Sequence, residues 1–397
     1  MKKHIIYFII IFLLNISCKN KKDSIILDNQ LNVDYNFEFK NNIFNIIKDV
    51  EIFQLNNENI NNFVFNKISK IVTYDNKFYL KSNKNEIYKT TNTGNFIKVL
   101  YKQGIAPNEY REIKDFAINS KEELYVYDFQ KQRFLIYDLD FRYLRTENIG
   151  FNFMNFEFIK NGNLALFTAK HRNKVNEKFY DFDIIILNNK FDILKTFLPF
   201  DSNKFETIRL NTSKPFSNLD TLYLFNDFIS DTIYSISDSS IKPYKYFSYQ
   251  GKTLTEKYKL SSHELILNDL KNNFEKFNEL DYFANLKGLN NNKIIFYFDH
   301  KGKESIFSFF SSTTKNIINY KFPKEYNSQE YRKFLEIQSV ENEKFISITY
   351  PITLKFLKSQ YLIHNNKDKF TKKIDDILKN TEPDGNQIII KFNIKDF

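Results

Sequence analysis

The chain has little of several residues on which common protein classes depend. Among its 397 residues there is one cysteine, Cys18, and no tryptophan, with eight glycines and seven prolines. A lone cysteine excludes an internal disulfide and any cysteine-rich zinc or iron–sulfur centre. So few glycines and prolines exclude a collagen-like or linker-like chain. Histidine is scarce too: His4, His171, His263, His300 and His364 stand far apart, and no two share metal-ligand spacing. No Gly-x-Ser-x-Gly elbow, Walker loop or dinucleotide glycine pattern occurs. The sequence therefore assigns no catalytic residue, no metal and no cofactor. Basic and acidic residues, 58 against 48 for a net charge of +10, interleave without forming a cationic stripe, which argues against a nucleic-acid partner.

What is abundant is ring and aliphatic carbon. Hydrophobic types make up 42% of the chain, which excludes wholesale disorder. With 44 Phe and 25 Tyr, aromatic packing must carry much of the burial.

The N-terminus reads as a processing signal. Met1-Lys2-Lys3 is basic, and Ile5 to Leu14 is an apolar run too short for the ~20 residues of a bilayer-spanning helix. Asn15-Ile16-Ser17-Cys18 follows, and resembles the lipobox of bacterial lipoproteins, with Asn15 in place of the usual Leu. The expected organisation is a signal peptide over 1–18 with lipidation at Cys18, a polar tether and lead-in over 19–45, and one domain over 46–397. An ordinary cleaved signal is the competing reading.

Beyond the tether, short period-two segments alternate with Asn, Asp, Gly or Lys clusters, the pattern of meandering antiparallel strands. Residues 69–101 hold four such strands, broken at Asp75-Asn76, Asn83-Lys84-Asn85 and Asn92 to Asn95. The phrase recurs from Ile113, over 155–200 with an inserted polar loop around 170–178, over 207–249, around Ile294 to Phe322, and around Phe345 to Thr349 with Ile388 to Phe392. Repeats of roughly 40–50 residues with four strands each predict propeller blades. The fold expected is an all-β, six-bladed β-propeller of four-stranded antiparallel blades with short inserted helices. The orphan strand Val50 to Leu55 should close the ring beside Gln387 to Ile394. Helical spacing is expected over Ser261 to Phe277, Ser328 to Leu335 and Lys372 to Leu378.

Gly104-Ile105-Ala106-Pro107-Asn108-Glu109-Tyr110, then Ile113-Lys114-Asp115-Phe116 and Tyr125 to Asp128, resembles the signature of six-bladed, NHL-like β-propeller lipoproteins. That family is abundant in Gram-negative bacteria with polysaccharide-utilisation systems. Glu382 to Asn386 is similar to its acidic-Asn turn, and the resemblance runs from about Val50 to Phe397. Ala106 stands where the second glycine is usual. The resemblance implies a propeller on a lipid anchor in the cell envelope, at the outer or inner membrane.

Glu109, Tyr110, Arg111 and Asp115 are the ligand-binding candidates, because a carboxylate, a phenol and a guanidinium on an inter-blade loop can take a sugar or peptide. Bracing of the inter-blade angle by the same residues is the competing and preferred role. Asp128, Asp138 and Asp299 end strands, where Asp commonly accepts from turn N–H groups. The function expected is non-catalytic binding or scaffolding for a protein or glycan partner; the alternative is a carbohydrate-active or metal-dependent lactonase-type enzyme with its site at the channel mouth.

Overall fold

The computed structural model describes residues 30–33, 39–56, 64–175, 177–202, 215–219, 222–227, 230, 232–249, 268, 285–290, 292–300, 304–363, 365, 368–381 and 385–397. Cys18 with the signal segment, the helix expected over 261–277 apart from Asn268, and residues 382–384 of the acidic turn lie outside the described residues, as does the Asp299 side chain.

Six antiparallel sheets follow one another along the chain. Blade 1 comprises Ile68–Tyr74, Lys77–Ser82, Ile87–Thr91 and Phe96–Leu100, and blade 2 comprises Ile113–Ile118, Glu123–Asp128, Arg133–Asp138 and Tyr143–Asn148. Blade 3 is built from Asn155–Phe158, Leu164–Phe167, Phe182–Leu187 and Ile193–Pro199, and carries a separate hairpin, Asn173–Val175 with Lys178–Tyr180, where the polar insertion was expected. Blade 4 holds Phe216–Leu219, Leu222–Phe225, Thr232–Ile236 and Ile241–Tyr249; blade 5 holds Asn285–Leu289, Lys293–His300, Glu304–Ser311 and Ile317–Lys321. The first strands face the axis, where they line one central cavity and adjoin one another at the junctions of blades 1–2, 2–3, 4–5, 5–6 and 6–1.

Blade 6 combines the chain's two ends. Ile337–Glu341, Lys344–Thr349 and Ile388–Ile394 form its inner strands, and Ile47–Gln54 pairs antiparallel with the last of these, Ile390 opposite Ile52. The expected closure is therefore present, and the lead-in goes further. Gln30–Val33 adds in parallel to the rim strand of blade 4, and Phe39–Lys40 to that of blade 5.

The turns follow local chemistry. Asp75 and Asn76 both take positive φ, 46° and 54°, as a two-residue hairpin turn requires. Asn119 Oδ1 accepts from the N–H groups of Lys121 and Glu123, and Asp138 Oδ1 from those of Asp140 and Arg142. These are side-chain-capped turns of the kind Asx residues favour.

Among the described residues each blade interface has its own apolar cluster, including the one joining blades 6 and 1 through Leu55, Ile68, Phe78, Ile346 and Ile389. Rings fill them, as the composition requires: Tyr127 stacks on Phe153 with centroids 3.7 Å apart, between blades 2 and 3. Its hydroxyl donates to the Phe151 carbonyl at 2.6 Å, so the buried phenol keeps a partner. Helices enter blade 6 between its second and third strands. Pro351–Leu362 and Lys369–Asn380 pack against blades 5 and 6, the second opened by a capping box from Asp368 to Thr371. Gln329–Arg332 and Lys333–Leu335 occupy the patch expected over 328–335.

Candidate functional site

Alternating strand direction sorts the loops. Connections from a fourth strand to the next blade, and from second to third strands, emerge on one face, here the connecting face. First-to-second and third-to-fourth turns emerge on the other, the turn face.

The sequence-derived candidates sit toward the connecting face, each with an internal partner. Glu109 folds back so that its Oε2 accepts from the Ala106 N–H at 2.9 Å, and its carboxylate fills the space where a Cβ on Gly104 would stand, 2.0 Å from Oε2. A side chain at 104 would have to displace the Glu109 carboxylate from this position. Tyr110 is fully buried; its hydroxyl donates toward the Asn85 carbonyl at 2.9 Å and accepts from the Lys102 N–H at 2.8 Å, and burial pushes its pKa well up. Arg111 is exposed, and its N–H donates to Asp128 Oδ1 at 3.3 Å. Asp115 is buried at 1% exposure. Its Oδ1 accepts from Lys70 Nζ of blade 1 at 2.7 Å, and its Oδ2 from the Phe156 N–H of blade 3 at 3.0 Å. One carboxylate therefore ties three consecutive blades. The loop is closed further by Arg133, which donates to the carbonyls of Pro107 at 2.9 Å and Glu109 at 2.5 Å.

Open space lies elsewhere. An axial cavity of about 570 Å³ is lined by first strands of all six blades, with Lys70, Thr73, Glu157, Asn218, Asn290 and Ser339 among its polar groups. A second, of about 630 Å³, lies at the turn-face mouth over blades 2 and 3 and shares Tyr74, Ile118, Glu157 and Asn218 with the first. None of Glu109, Tyr110, Arg111 and Asp115 lines either.

The mouth cavity combines two kinds of wall. Tyr74, Tyr125, Phe158, Phe191 and Tyr223 supply rings, and Asn119, Asn161, Asn189 and Asn218 supply amides. Behind them Arg145 donates Nη1 to Glu123 Oε1 at 2.5 Å, Nη2 to Glu123 Oε2 at 3.1 Å, and Nη2 to the Tyr125 hydroxyl at 3.2 Å. Arg145 thereby holds the Glu123 carboxyl below the usual carboxylate range, while burial pushes the Tyr125 phenol up. Tyr223 is also raised, first by burial and then by Glu157. Among the described residues no group of three or more His, Cys, Asp or Glu converges as a metal site would require.

These mouth residues were not singled out from the sequence, yet a signal existed. Tyr74, Ile118, Phe158 and Asn218 lie at or near the end of a first strand, just before the turn that opens on this face.

A closed ring of six four-stranded blades around an axial cavity defines a six-bladed β-propeller. More particularly, residues 25–393 match the family model described as Domain of unknown function (DUF4934), and the chain belongs to that family. No curated protein matches the sequence. Among solved structures, a Bacteroides fragilis protein described as a candidate exported protein is 16% identical with a TM-score of 0.69, over 92% of this chain and all, 100%, of that one. A member of the duf4221 family from Bacteroides vulgatus is 14% identical with a TM-score of 0.52, over 88% of this chain and 98% of that one. At these identities the likeness is one of fold.

Proposed function

We propose that this is an exported, lipid-anchored envelope propeller, lipidated at Cys18, that binds a glycan without transforming it, in the turn-face mouth between blades 2 and 3. The observation that carries the reading is the pairing of ring faces with side-chain amides around one cavity. A sugar presents C–H faces that stack on rings and hydroxyls that exchange hydrogen bonds with amides, so both wall types have work in the same pocket. The volume falls within the roughly 300–1,000 Å³ of small-molecule pockets. Glu123, its carboxyl held below the usual range by Arg145, is unsuited to be the raised-pKa general acid that glycoside cleavage uses. Glu109, Tyr110 and Asp115 brace blades 1 to 3 in this reading, since their side chains bond to the protein's own backbone and to Lys70, while the exposed Arg111 joins through its backbone. Export and anchoring rest on the basic start, the short apolar run and Cys18.

The test is titration calorimetry with a panel of neutral and acidic oligosaccharides. An oligosaccharide should bind, and Tyr223→Ala and Asn218→Ala should each weaken it about tenfold or more, the worth of one good stacking or hydrogen-bonding contact. Glu109→Gln should leave affinity unchanged. If Glu109→Gln abolishes binding while the two mouth variants keep it, the site lies on the other face and the reading is wrong.

A further inference from the structure

Exposed apolar side chains are distributed unequally between the two faces. Val64 is 72% exposed, Tyr101 59%, Ile105 70% and Phe179 50%. Val64 precedes the first strand of blade 1, Tyr101 and Ile105 lie on the connection from blade 1 to blade 2, and Phe179 is in the hairpin between the second and third strands of blade 3. All four therefore stand on the connecting face. Contacts keep this placement: Lys131, in the turn between the second and third strands of blade 2, donates to the Ile105 carbonyl at 3.1 Å. The other large exposed apolar residues are Ile97, Val99, Leu144 and Leu194 on rim strands, and Leu362 and Ile363 at the end of a helix in blade 6. Among the described residues, no turn of the opposite face carries one.

Cations accompany the tips. The Arg172 guanidinium lies 4.0 Å from the Phe179 ring centroid, with Lys174 at 5.7 Å, and Lys178 lies 5.3 Å from the Tyr180 ring. Lys102 adjoins Tyr101 in sequence, and Lys131 touches Ile105. The ion pairs Arg172–Asp181 at 3.3 Å and Lys174–Glu177 at 2.5 Å offset part of the hairpin's charge, leaving three cations against two carboxylates over 172–181.

We propose that the connecting face seats directly on an anionic phospholipid surface, with Val64, Tyr101, Ile105 and Phe179 dipping into the headgroup region. The tips are spread over the entry to blade 1, the connection from blade 1 to blade 2 and the hairpin of blade 3, not gathered in one patch. A compact protein partner would meet one or two of them, whereas a planar apolar phase meets all at once. The Lys and Arg side chains beside Tyr101, Ile105 and Phe179 can lay their aliphatic stems along the apolar zone while the charge reaches lipid phosphate, and tyrosine suits the same boundary. The positive net charge adds long-range attraction to such a surface. The seating does not rest on the glycan reading, and it sets an orientation: the mouth cavity of the opposite face points away from the membrane.

The chain's lack of tryptophan makes the test clean. Single reporters Ile105→Trp and Phe179→Trp on the connecting face are compared with Leu144→Trp on the rim and Ser120→Trp on the turn face, all in the full-length chain. Each is mixed with vesicles of phosphatidylcholine and phosphatidylglycerol at 7:3, the acyl chains brominated as quenchers. Because residues 5–14 could hold the chain to a vesicle in any pose, the readout is depth at each position, not binding. Tips embedded about 5–10 Å should lose roughly half their emission or more and shift to the blue at 105 and 179, with neither change at 144 and 120. Ile105→Ser with Phe179→Ser, read through Val64→Trp in the same chain, should cut quenching at 64 by at least half. Equal quenching at all four positions, quenching at 120 instead of 105 and 179, or none anywhere would overturn the proposal.

Discussion

Ile52 is the sharpest probe of how the ring holds. It is 1% exposed on the rim strand of blade 6, opposite Ile390 at 0%, so it packs where the chain's beginning meets its end. Truncation to alanine in a close-packed cluster costs about 2–5 kcal/mol. Taking about 3 kcal/mol against a urea m-value of about 3 kcal/mol/M, Ile52→Ala lowers the unfolding midpoint by about 1 M. Val99→Ala is the control. Val99 lies on the rim strand of blade 1 and is 36% exposed, and surface changes of that sort stay within about 0.5 kcal/mol. Far-ultraviolet circular dichroism and tyrosine fluorescence should follow one coincident transition, because Ile52 packs in the cluster shared by blades 5 and 6, and freeing its strand opens the ring and exposes the clusters on both sides of blade 6. Deleting residues 45–57 goes further. It removes Ile46, Ile47, Ile52 and Leu55, all at 1% exposure or less. At about 1.5–3 kcal/mol each, that is about 6–12 kcal/mol against a typical total of about 5–15, and the fold should be lost. An early minor transition in Ile52→Ala, with the bulk midpoint unmoved, would show blade 6 detaching alone and refute the closure argument.

Two further outcomes follow from buried charge. Asp115→Asn leaves Lys70 Nζ without its carboxylate at 2.7 Å and should cost about 1–3 kcal/mol in urea titration; adding Lys70→Met should recover part of it, and strict additivity would count against the pairing. Glu123 has a folded pKa below its unfolded value because of Arg145, so its stabilisation is present above about pH 4.3, the free-glutamate value, and is lost as pH falls through the lower folded pKa. The difference in melting temperature between the native chain and Glu123→Gln should be steady from neutrality to that pH and shrink below it, and a difference that grows on acidification contradicts the ion pair.

The blades were legible because each half-buried strand alternates and each turn carries Asx or Gly where positive φ or capping is needed, as at Asp75-Asn76 and Asn119. Closure was legible because Val50 to Leu55 read as a strand with no sheet of its own. The parallel additions were not: Gln30–Val33 and Phe39–Lys40 are too short and polar to show a period, and parallel pairing leaves no local turn signal. The helix Pro351–Leu362 was missed for another reason. Pro351, Thr353, Leu354, Phe356, Leu357 and Gln360 are all buried, so it has no clean apolar stripe. The mouth pocket was invisible because its walls come from separate repeats, and only the ring brings Tyr74, Arg145 and Tyr223 together.

The route of the N-terminal segment explains which sheet edges need protection. Gln30–Val33, Phe39–Lys40 and Ile47–Gln54 lie on the rims of blades 4, 5 and 6 in order before the chain enters blade 1. On blades 4 and 5 they pair with the rim strand, and on blade 6 they are the rim strand, so one segment laces half the ring from outside. Among the described residues blades 1, 2 and 3 have no such cover, and their rim strands carry Lys98, Arg145 and Lys195, with Pro199 ending the last. Charge and proline discourage edge pairing between molecules. Opening the ring by freeing Ile47–Gln54 from Ile388–Ile394 must therefore also strip this lacing or leave it attached to blades 4 and 5 alone, where six of the described residues are paired. Most of the segment's apolar burial, from Ile43 to Leu55, lies with blade 6 and the interface it closes, so lacing and closure are lost in one step.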